Sequence, residues 1–225
     1  MVGMRHGDPY SDFGETDQTG ADDIDALVRA TSPGTGGGRA GPHSGTRPAP
    51  AARTVPFDVV TGVAETPVGF LFCAMTESGL AACSFAPEED LVERLERAVS
   101  PNIGPHDAHL EAVRREIDAY FAGRLSSFTV PLDLRLTGDF ARVVLRSLLD
   151  VPYGATITLG GLGARIGRPN ARRAIASTLA ENPLCLFLPC HRVVADDYPA
   201  ELGPYSGGAR AKRGLLDLEA AHAAE

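Results

Sequence analysis

Near residue 56 the chain changes character, and the change decides how much of it can fold. Residues 1–55 hold 15 Gly and Pro residues, and the run from Thr31 to Arg53, TSPGTGGGRAGPHSGTRPAPAAR, has no periodic apolar face. Such a stretch cannot bury enough surface to offset its ordering entropy. One short exception is Ala21 to Ala30, where Ile24, Leu27 and Val28 fall on one helical face behind Asp22 and Asp23. A helix of one or two turns is not stable by itself. Residues 1–55 are therefore expected to be a disordered tail. That leaves about 170 residues, divided between an N-terminal α+β domain over 56–137 and a C-terminal domain over 138–225.

Order is expected from Phe57. Phe57 to Thr61 and Val68 to Met75 read as strands, Thr76-Glu77-Ser78-Gly79 as a tight turn, and Leu80 to Phe85 as the returning strand. Pro87 opens a helix to about Val99, a second helix runs from about Ala108 to Phe121, and Gly123 stops it. Ser127 to Leu134 reads as extended. The pattern predicts a small, mostly antiparallel sheet with helices. With Glu77-Ser78 at the hairpin tip, regular pairing sets Phe72 opposite Cys83 and Ala82 opposite Cys73, so that the two thiols lie on opposite faces.

From Gly138 the pattern is helical and its connections are short. Phe140, Val143, Val144, Ser147 and Leu148 share one face of a helix over Asp139 to Leu149, which Pro152-Tyr153-Gly154 ends. Thr158 caps a short segment containing Leu159, Leu162 and Ile166. Gly167-Arg168-Pro169-Asn170 then turns the chain, and Asn170 caps a helix that buries Ile175 and Leu179. This is the pattern of a helix-turn-helix, although many helical hairpins share it.

Charge separates the same regions. The whole chain carries -8, but residues 138–225 carry +1 and residues 56–137 carry -7. A contact with a polyanion should therefore use the last third. Lys212 is the only lysine among 21 cationic residues, so the choice of Arg over Lys is general and no sign of phosphate binding by itself. No apolar run approaches the roughly 20 residues of a membrane helix. Met1 to Tyr10 has no apolar core of a signal peptide. Cys73, Cys83, Cys185 and Cys190 show no CxxC spacing and are too few for a disulfide scaffold. The expectation is a soluble, cytoplasmic, monomeric protein without metal, cofactor or membrane partner.

The chemically informative stretch is Asn182 to Val194, NPLCLFLPCHRVV. Leu184 to Leu188 should deliver Pro-Cys-His-Arg to the end of a strand. A cysteine beside a histidine is chemically meaningful because the thiolate is the nucleophile and needs a base or cation to form. Neighbours in an extended chain point to opposite sides, so a bridging water would have to join them. The other reading is a buried Cys followed by a surface His and Arg.

Pro189-Cys190-His191-Arg192-Val193 resembles the active-site signature of the O6-alkylguanine-DNA alkyltransferases, also called methylated-DNA–protein-cysteine methyltransferases. Phe140 to Leu149 with Val151-Pro152-Tyr153-Gly154 is similar to the helix and turn that precede the family's helix-turn-helix. Ile166-Gly167, Pro169 and Arg173-Ala174-Ile175 match that motif. Asn182-Pro183 stands at the family's spacing from the Cys, and Tyr205-Ser206-Gly207-Gly208, Lys212, Leu215-Leu216 and Glu219 match its closing segment. The resemblance spans about Phe57 to Glu219 and is strongest from Phe140 onward.

That resemblance implies a ribonuclease H-like N-terminal domain and a winged-helix-like C-terminal domain. It implies repair of double-stranded DNA by direct reversal. The alkylated base is flipped out of the helix, and its alkyl group passes irreversibly from guanine O6, or thymine O4, to Cys190. His191 would be the base, acting through a water, with Glu219 holding and polarising it and Asn182 bracing the turn. Arg173 would fill the vacated space in the base stack, with Arg168 and Ala171 beside it on the DNA. The carbonyls of Cys190 and Val193 would accept from the guanine amino group and Ser206 would donate toward O6, with Tyr205, Gly207 and Leu159 lining the pocket. Simpler readings stay open for several of these: Glu219 as a solvated helix end, Asn182 as a helix C-cap, Arg173 or Arg172 as a phosphate contact, and Ser206-Gly207-Gly208 as a tight turn.

Three departures stand out. Leu159 occupies the place of a family tyrosine whose hydroxyl assists the leaving guanine, a loss worth about 1–3 kcal/mol. The same helix contains Gly160, Gly161 and Gly163, each costing roughly 1 kcal/mol relative to alanine. The loop from Ala195 to Pro204 is longer than the family's and carries Asp196, Asp197 and Glu201, acids that oppose phosphate binding. Two alternatives follow: a lesion- or DNA-binding member with weak or no transfer, or a transferase of altered adduct specificity.

Overall fold

The hairpin expected around Glu77-Ser78 is present, and the rest of the N-terminal half is built on it. The computed structural model describes residues 56–85 and 88–223. The expected tail with its Ala21–Ala30 segment, and Pro87 at the start of the first helix, lie outside the described residues. Strands β1 (Val59–Thr66), β2 (Gly69–Thr76) and β3 (Gly79–Ser84) form an antiparallel meander. Helix α1 (Glu88–Ala98) follows, then a short strand β4 (Ile103–Pro105) and helix α2 (Glu111–Phe121).

The sheet is mostly antiparallel, as expected, with one added strand and one correction to the register. It is mixed, in the order β3-β2-β1-β4, because β4 pairs parallel to β1 with Val59 opposite Ile103. Three residues ending in a proline are too short to show an alternating pattern. The hairpin register also shifts between Ala74 and Met75, so that Cys73 faces Cys83 directly. A β-bulge is the cause. Ala81 and Ala82, adjacent in sequence, both pack beneath Leu91 and Leu95 of α1, while Leu80 and Cys83 belong to the opposite, larger core. The two thiols therefore share a face; both are free. Ser127–Leu134 forms no strand and joins the sheet through a bridge from Leu132 to Leu80 and a bond from the Thr76 hydroxyl to Asp133 at 2.6 Å. Gly123 ends α2 with a left-handed φ of 69°, as expected.

The C-terminal half comprises α3 (Asp139–Ser147), β5 (Ile157–Thr158), α4 (Leu159–Arg165), α5 (Arg172–Ala180), β6 (Val193–Val194) and α6 (Gly208–His222). The Thr158 hydroxyl accepts from Gly161 N at 3.0 Å and caps α4, as its sequence suggests. The cap assigned to Asn170 is not formed. Arg168 N–H donates to Gly163 O at 2.7 Å and Ala171 N–H to Arg168 O at 3.1 Å, which keeps 168–171 in the turn and makes Ala171 the N-cap residue. The pair α4–α5 is the helix-turn-helix. The short strands β5 and β6 pair in parallel, with Ile157 opposite Val193. One core runs through both halves, from Leu71, Val113 and Tyr120 to Leu145, Ile175 and Leu215. The fold is α+β.

Candidate active site

Beyond α5, Asn182 is buried and bonds in three directions. Its Nδ2 donates to Leu188 O at 2.9 Å and to Cys190 Sγ at 3.2 Å, while Oδ1 accepts from Leu184 N at 3.0 Å. These bonds satisfy backbone groups that a strand would have offered to a neighbour. The strand expected before Cys190 is accordingly absent. Leu184 alone bridges the sheet, to Cys83, and residues 185–188 turn, with Leu186 in the left-handed region at φ 71°. Cys190–Arg192 is a single 3-10 turn. Its threefold repeat sends the Cys190 and His191 side chains roughly 120° apart. The geometric obstacle to a direct Cys–His bond survives, for a different reason.

His191 is fully buried. Its Nε2 lies 2.9 Å from Glu219 Oε1. Glu219, equally buried on α6, is not the solvated helix end that its position allowed. It also accepts from Arg192 Nε at 2.9 Å and Nη2 at 2.9 Å, from the Tyr120 hydroxyl at 2.7 Å and from Gly154 N at 3.0 Å. Arg192 Nη1 donates in turn to Val151 O at 2.6 Å. Burial pushes the Glu219 carboxyl up, but the donors from His191 and Arg192 overcome it and pull it down to about 2. Glu219 is thus an acceptor only, so the histidine proton must sit on Nε2. Burial outweighs the carboxylate and lowers the His191 pKa, so the ring is neutral near pH 7. The lone pair is on Nδ1, and that atom has no partner among the described residues.

Cys190 is buried beside a second thiol. Cys185 Sγ stands 3.4 Å from Ser206 Oγ and 3.8 Å from Ser84 Oγ. Its interaction with Cys190, against the cost of burial, draws the Cys185 thiol down to about 7. Cys185 and burial push the Cys190 thiol up, while the Asn182 amide and the Lys212 charge oppose them. The two sulfurs are tightly coupled, and the Asn182 donor and the Lys212 charge favour the charged form of Cys190. Lys212 is buried too, with Nζ donating to Val193 O at 2.6 Å, Pro204 O at 3.0 Å and Gly203 O at 3.2 Å. Burial lowers it to about 8. It ties β6 to the segment that leads into Tyr205.

The other expected residues fall on two sides of this centre. Tyr205 is buried edge-on to His191, with ring centroids 6.3 Å apart, and its hydroxyl has no partner among the described residues. Ser206 is turned toward Cys185. A Cβ on Gly207 would meet the Phe85 ring at 2.9 Å, so this glycine serves packing against β3, while Gly208 takes the left-handed φ of 78°. Leu159 is almost fully buried in the core. Val193 already accepts from Lys212, and Cys190 O from Val193 N. Arg173 is exposed on the first turn of α5, with Ala171 and Arg168 half-buried just before it. Arg192, Tyr120 and Gly154 belong to the site without having been singled out. Arg192 was visible inside the motif, but nothing local marks Tyr120, which comes from α2 in the other half.

Comparison with known proteins follows the same division. Residues 139–221 match the model of the 6-O-methylguanine DNA methyltransferase DNA-binding domain, and residues 59–134 match that of the ribonuclease-like domain of the same enzymes. The methylated-DNA–protein-cysteine methyltransferase of Methanosarcina acetivorans is 34% identical over 155 residues, 69% of this chain and 94% of the relative. That of Mycobacterium tuberculosis is 44% identical over 108 residues, but the match covers 48% of this chain and only 64% of the relative. Crystal structures of Mycobacterium tuberculosis O6-methylguanine methyltransferase, and of the same organism's protein in complex with DNA, superpose with TM-scores of 0.62 and 0.60. Both are 32% identical, cover 73% of this chain, and are covered over 94% and 93% of their own length. With both domain models matched in order and the Cys190–His191–Glu219 constellation assembled, the chain belongs to the 6-O-methylguanine DNA methyltransferase family.

Proposed function

We propose that this protein repairs alkylated double-stranded DNA by moving the alkyl group from guanine O6 to Cys190. The carrying observation is the neutral His191, whose Nε2–H is held by Glu219 at 2.9 Å while Nδ1 keeps its lone pair. Through a water, Nδ1 takes the Cys190 proton. The sulfur then attacks the alkyl carbon, the S–C bond forms as the C–O6 bond breaks, and the released electron pair passes to the guanine, which takes up a proton. Asn182 and Lys212 favour the thiolate. The product thioether has no group to displace it, so each molecule reacts once.

The α4–α5 pair carries the DNA, with Arg173 entering the stack and Arg168 and Ala171 beside it. Ser206 exchanges its Cys185 contact for guanine O6, and Val193 O offers its second lone pair to the amino group beside Tyr205 and Gly207. The intact thiol, base and carboxylate favour transfer over a DNA-binding member without it. The reading places the protein in the cytoplasm, where DNA is accessible and thiols stay reduced, and requires only a monomer.

Intact-mass measurement after incubation with a duplex containing O6-methylguanine tests this. The protein should gain the mass of one CH2 unit, and Cys190→Ala should gain none while still binding duplex. A modified Cys190→Ala protein would move the acceptor to Cys185. No adduct on the unmutated protein, with duplex binding intact, would leave the DNA-binding alternative.

A further inference from the structure

Two departures noted in the sequence, the glycine-rich first helix of the helix-turn-helix and the acidic loop after the active site, meet at Arg172. This residue opens α5, and its Nη2 lies 2.9 Å from Asp196 Oδ2. Its Nη1 crosses directly over Gly160, where a Cβ would come within 2.6 Å of it. A side chain at position 160 would crowd the guanidinium on its present path to the loop. The contact is a surface pair, since the side chains of Arg172 and Asp196 remain 41% and 64% exposed.

Local electrostatics explains why such a pair is held and why it is easily given up. Arg172 and Arg173 sit at the N-terminal end of α5, the positive end of the helix dipole, and the first turn contains no acid. Two cations placed there are disfavoured until an anion arrives. Asp196 supplies one to Arg172 alone, through a single Nη2–Oδ2 contact of the kind a guanidinium also makes to a phosphate oxygen. An exposed pair of this kind is weak and is exchanged for a better anion at little cost.

We propose that Asp196 is a built-in phosphate substitute: it occupies Arg172 in the free protein, yields it to the DNA backbone on binding, and so lowers affinity for undamaged duplex. This rests on the reading of α4–α5 as the DNA-binding element and adds to it a residue that sets the affinity for duplex. Competition from within the protein weakens every duplex complex by the same factor. The base-flipped complex, which has its own pocket contacts, tolerates that loss; the complex with intact DNA has little else to hold it.

A double-mutant cycle on undamaged duplex, with the salt dependence measured for each protein, provides the test. Asp196→Asn should tighten binding about 2- to 5-fold, the range that corresponds to releasing an exposed ion pair. Arg172→Gln should weaken binding and reduce the slope of log K against log salt by about 0.9, one phosphate contact. The decisive result is the pair together: in the Arg172→Gln background, Asp196→Asn should have no further effect. Undiminished tightening in that background would mean that Asp196 repels DNA in general, and the proposal would be wrong. Unchanged or weaker binding by Asp196→Asn alone would also overturn it. Failure of the unmutated protein to bind duplex would instead remove the DNA-binding reading, and this inference with it.

Discussion

The Glu219 centre and the outer face of the helix-turn-helix use the same chemical groups, arginine with carboxylate, in opposite ways. At Glu219 the carboxylate is fully buried and bonded by His191, Arg192, Tyr120 and Gly154. Around Arg172 a single contact to Asp196 stands in solvent. Burial makes every partner in the first network necessary, because a charge left unpaired there has no water to fall back on. Exposure makes the second pair exchangeable. The interior fixes His191 in one hydrogen-bonded orientation, and the surface leaves its ion pair exchangeable.

The sharpest way to break this comparison is to remove one charge from each region. Glu219→Gln preserves shape but leaves Arg192 buried without its counter-charge, which should destabilise the protein by about 3–5 kcal/mol. At roughly 2–4 °C per kcal/mol, that is a fall in Tm of about 6–20 °C. Methyl transfer by the fraction that remains folded should slow more than about tenfold, as His191 loses the charge that holds and polarises it. Arg172→Gln should lower Tm by no more than about 4 °C, since exposed pairs contribute about 0–1 kcal/mol. Comparable shifts in the two variants would mean that the Glu219 network is as loosely held as the surface pair.

The two regions also differed in how legible they were. The order of Asn182, Cys190, His191 and Glu219 resembles a family pattern that pins them to one site, and the structure brings all four together. What escaped is what depends on packing between distant segments. Tyr120 looks like any inward-facing helix residue in its own sequence, and only the approach of α2 to α6 gives its hydroxyl a carboxylate. Arg192 reads as a surface residue after a reactive pair because arginine is rarely buried. The β-bulge at Ala81 inverted the expected relation of Cys73 and Cys83. Leu-Ala-Ala-Cys-Ser has no alternation from which to count a register. Asn182 was read as a brace or a cap, but its side chain also replaces the expected strand by a closed turn. The Arg172–Asp196 contact joins two oddities that sequence could only register separately.

Acid distinguishes the regions without a mutation. The unfolded chain protonates His191 first, because its folded pKa is lowered; stability should therefore fall as pH drops below about 6.5. Glu219 follows in the same direction. Its folded pKa of about 2 against an ordinary 4.5 gives stability that is complete above 4.5 and lost as pH falls toward 2, up to about 3 kcal/mol. Thermal melts across this range should show both limbs, and Glu219→Gln should flatten the lower one. Added salt should change the melting of either protein little, while it should strongly weaken the proposed DNA binding through the surface arginines. A lower limb that persists in Glu219→Gln would assign the acid sensitivity to other carboxylates.

At Leu159 a single substitution should move rate and stability in opposite directions. This residue begins α4 immediately after its Thr158 cap, yet its side chain is 2% exposed and packs in the core. It contributes to the interior, while the tyrosine that the family carries there contributes a hydroxyl to the pocket. Leu159→Tyr should speed transfer from O6-methylguanine about 10–200-fold, the rate equivalent of about 1–3 kcal/mol for a restored donor to the leaving guanine. It should also cost stability, about 1–3 kcal/mol, as the larger ring displaces its neighbours. Single-turnover rates and melting curves measured on the same preparations separate the two. A faster but less stable variant would show that this chain gave up a leaving-group donor in exchange for packing. A variant that melts lower with no gain in rate, beside an unmutated protein that already transfers efficiently, would show that another donor has taken the place of the missing hydroxyl. Ser206, turned toward Cys185 in the free protein, would then be the first group to test.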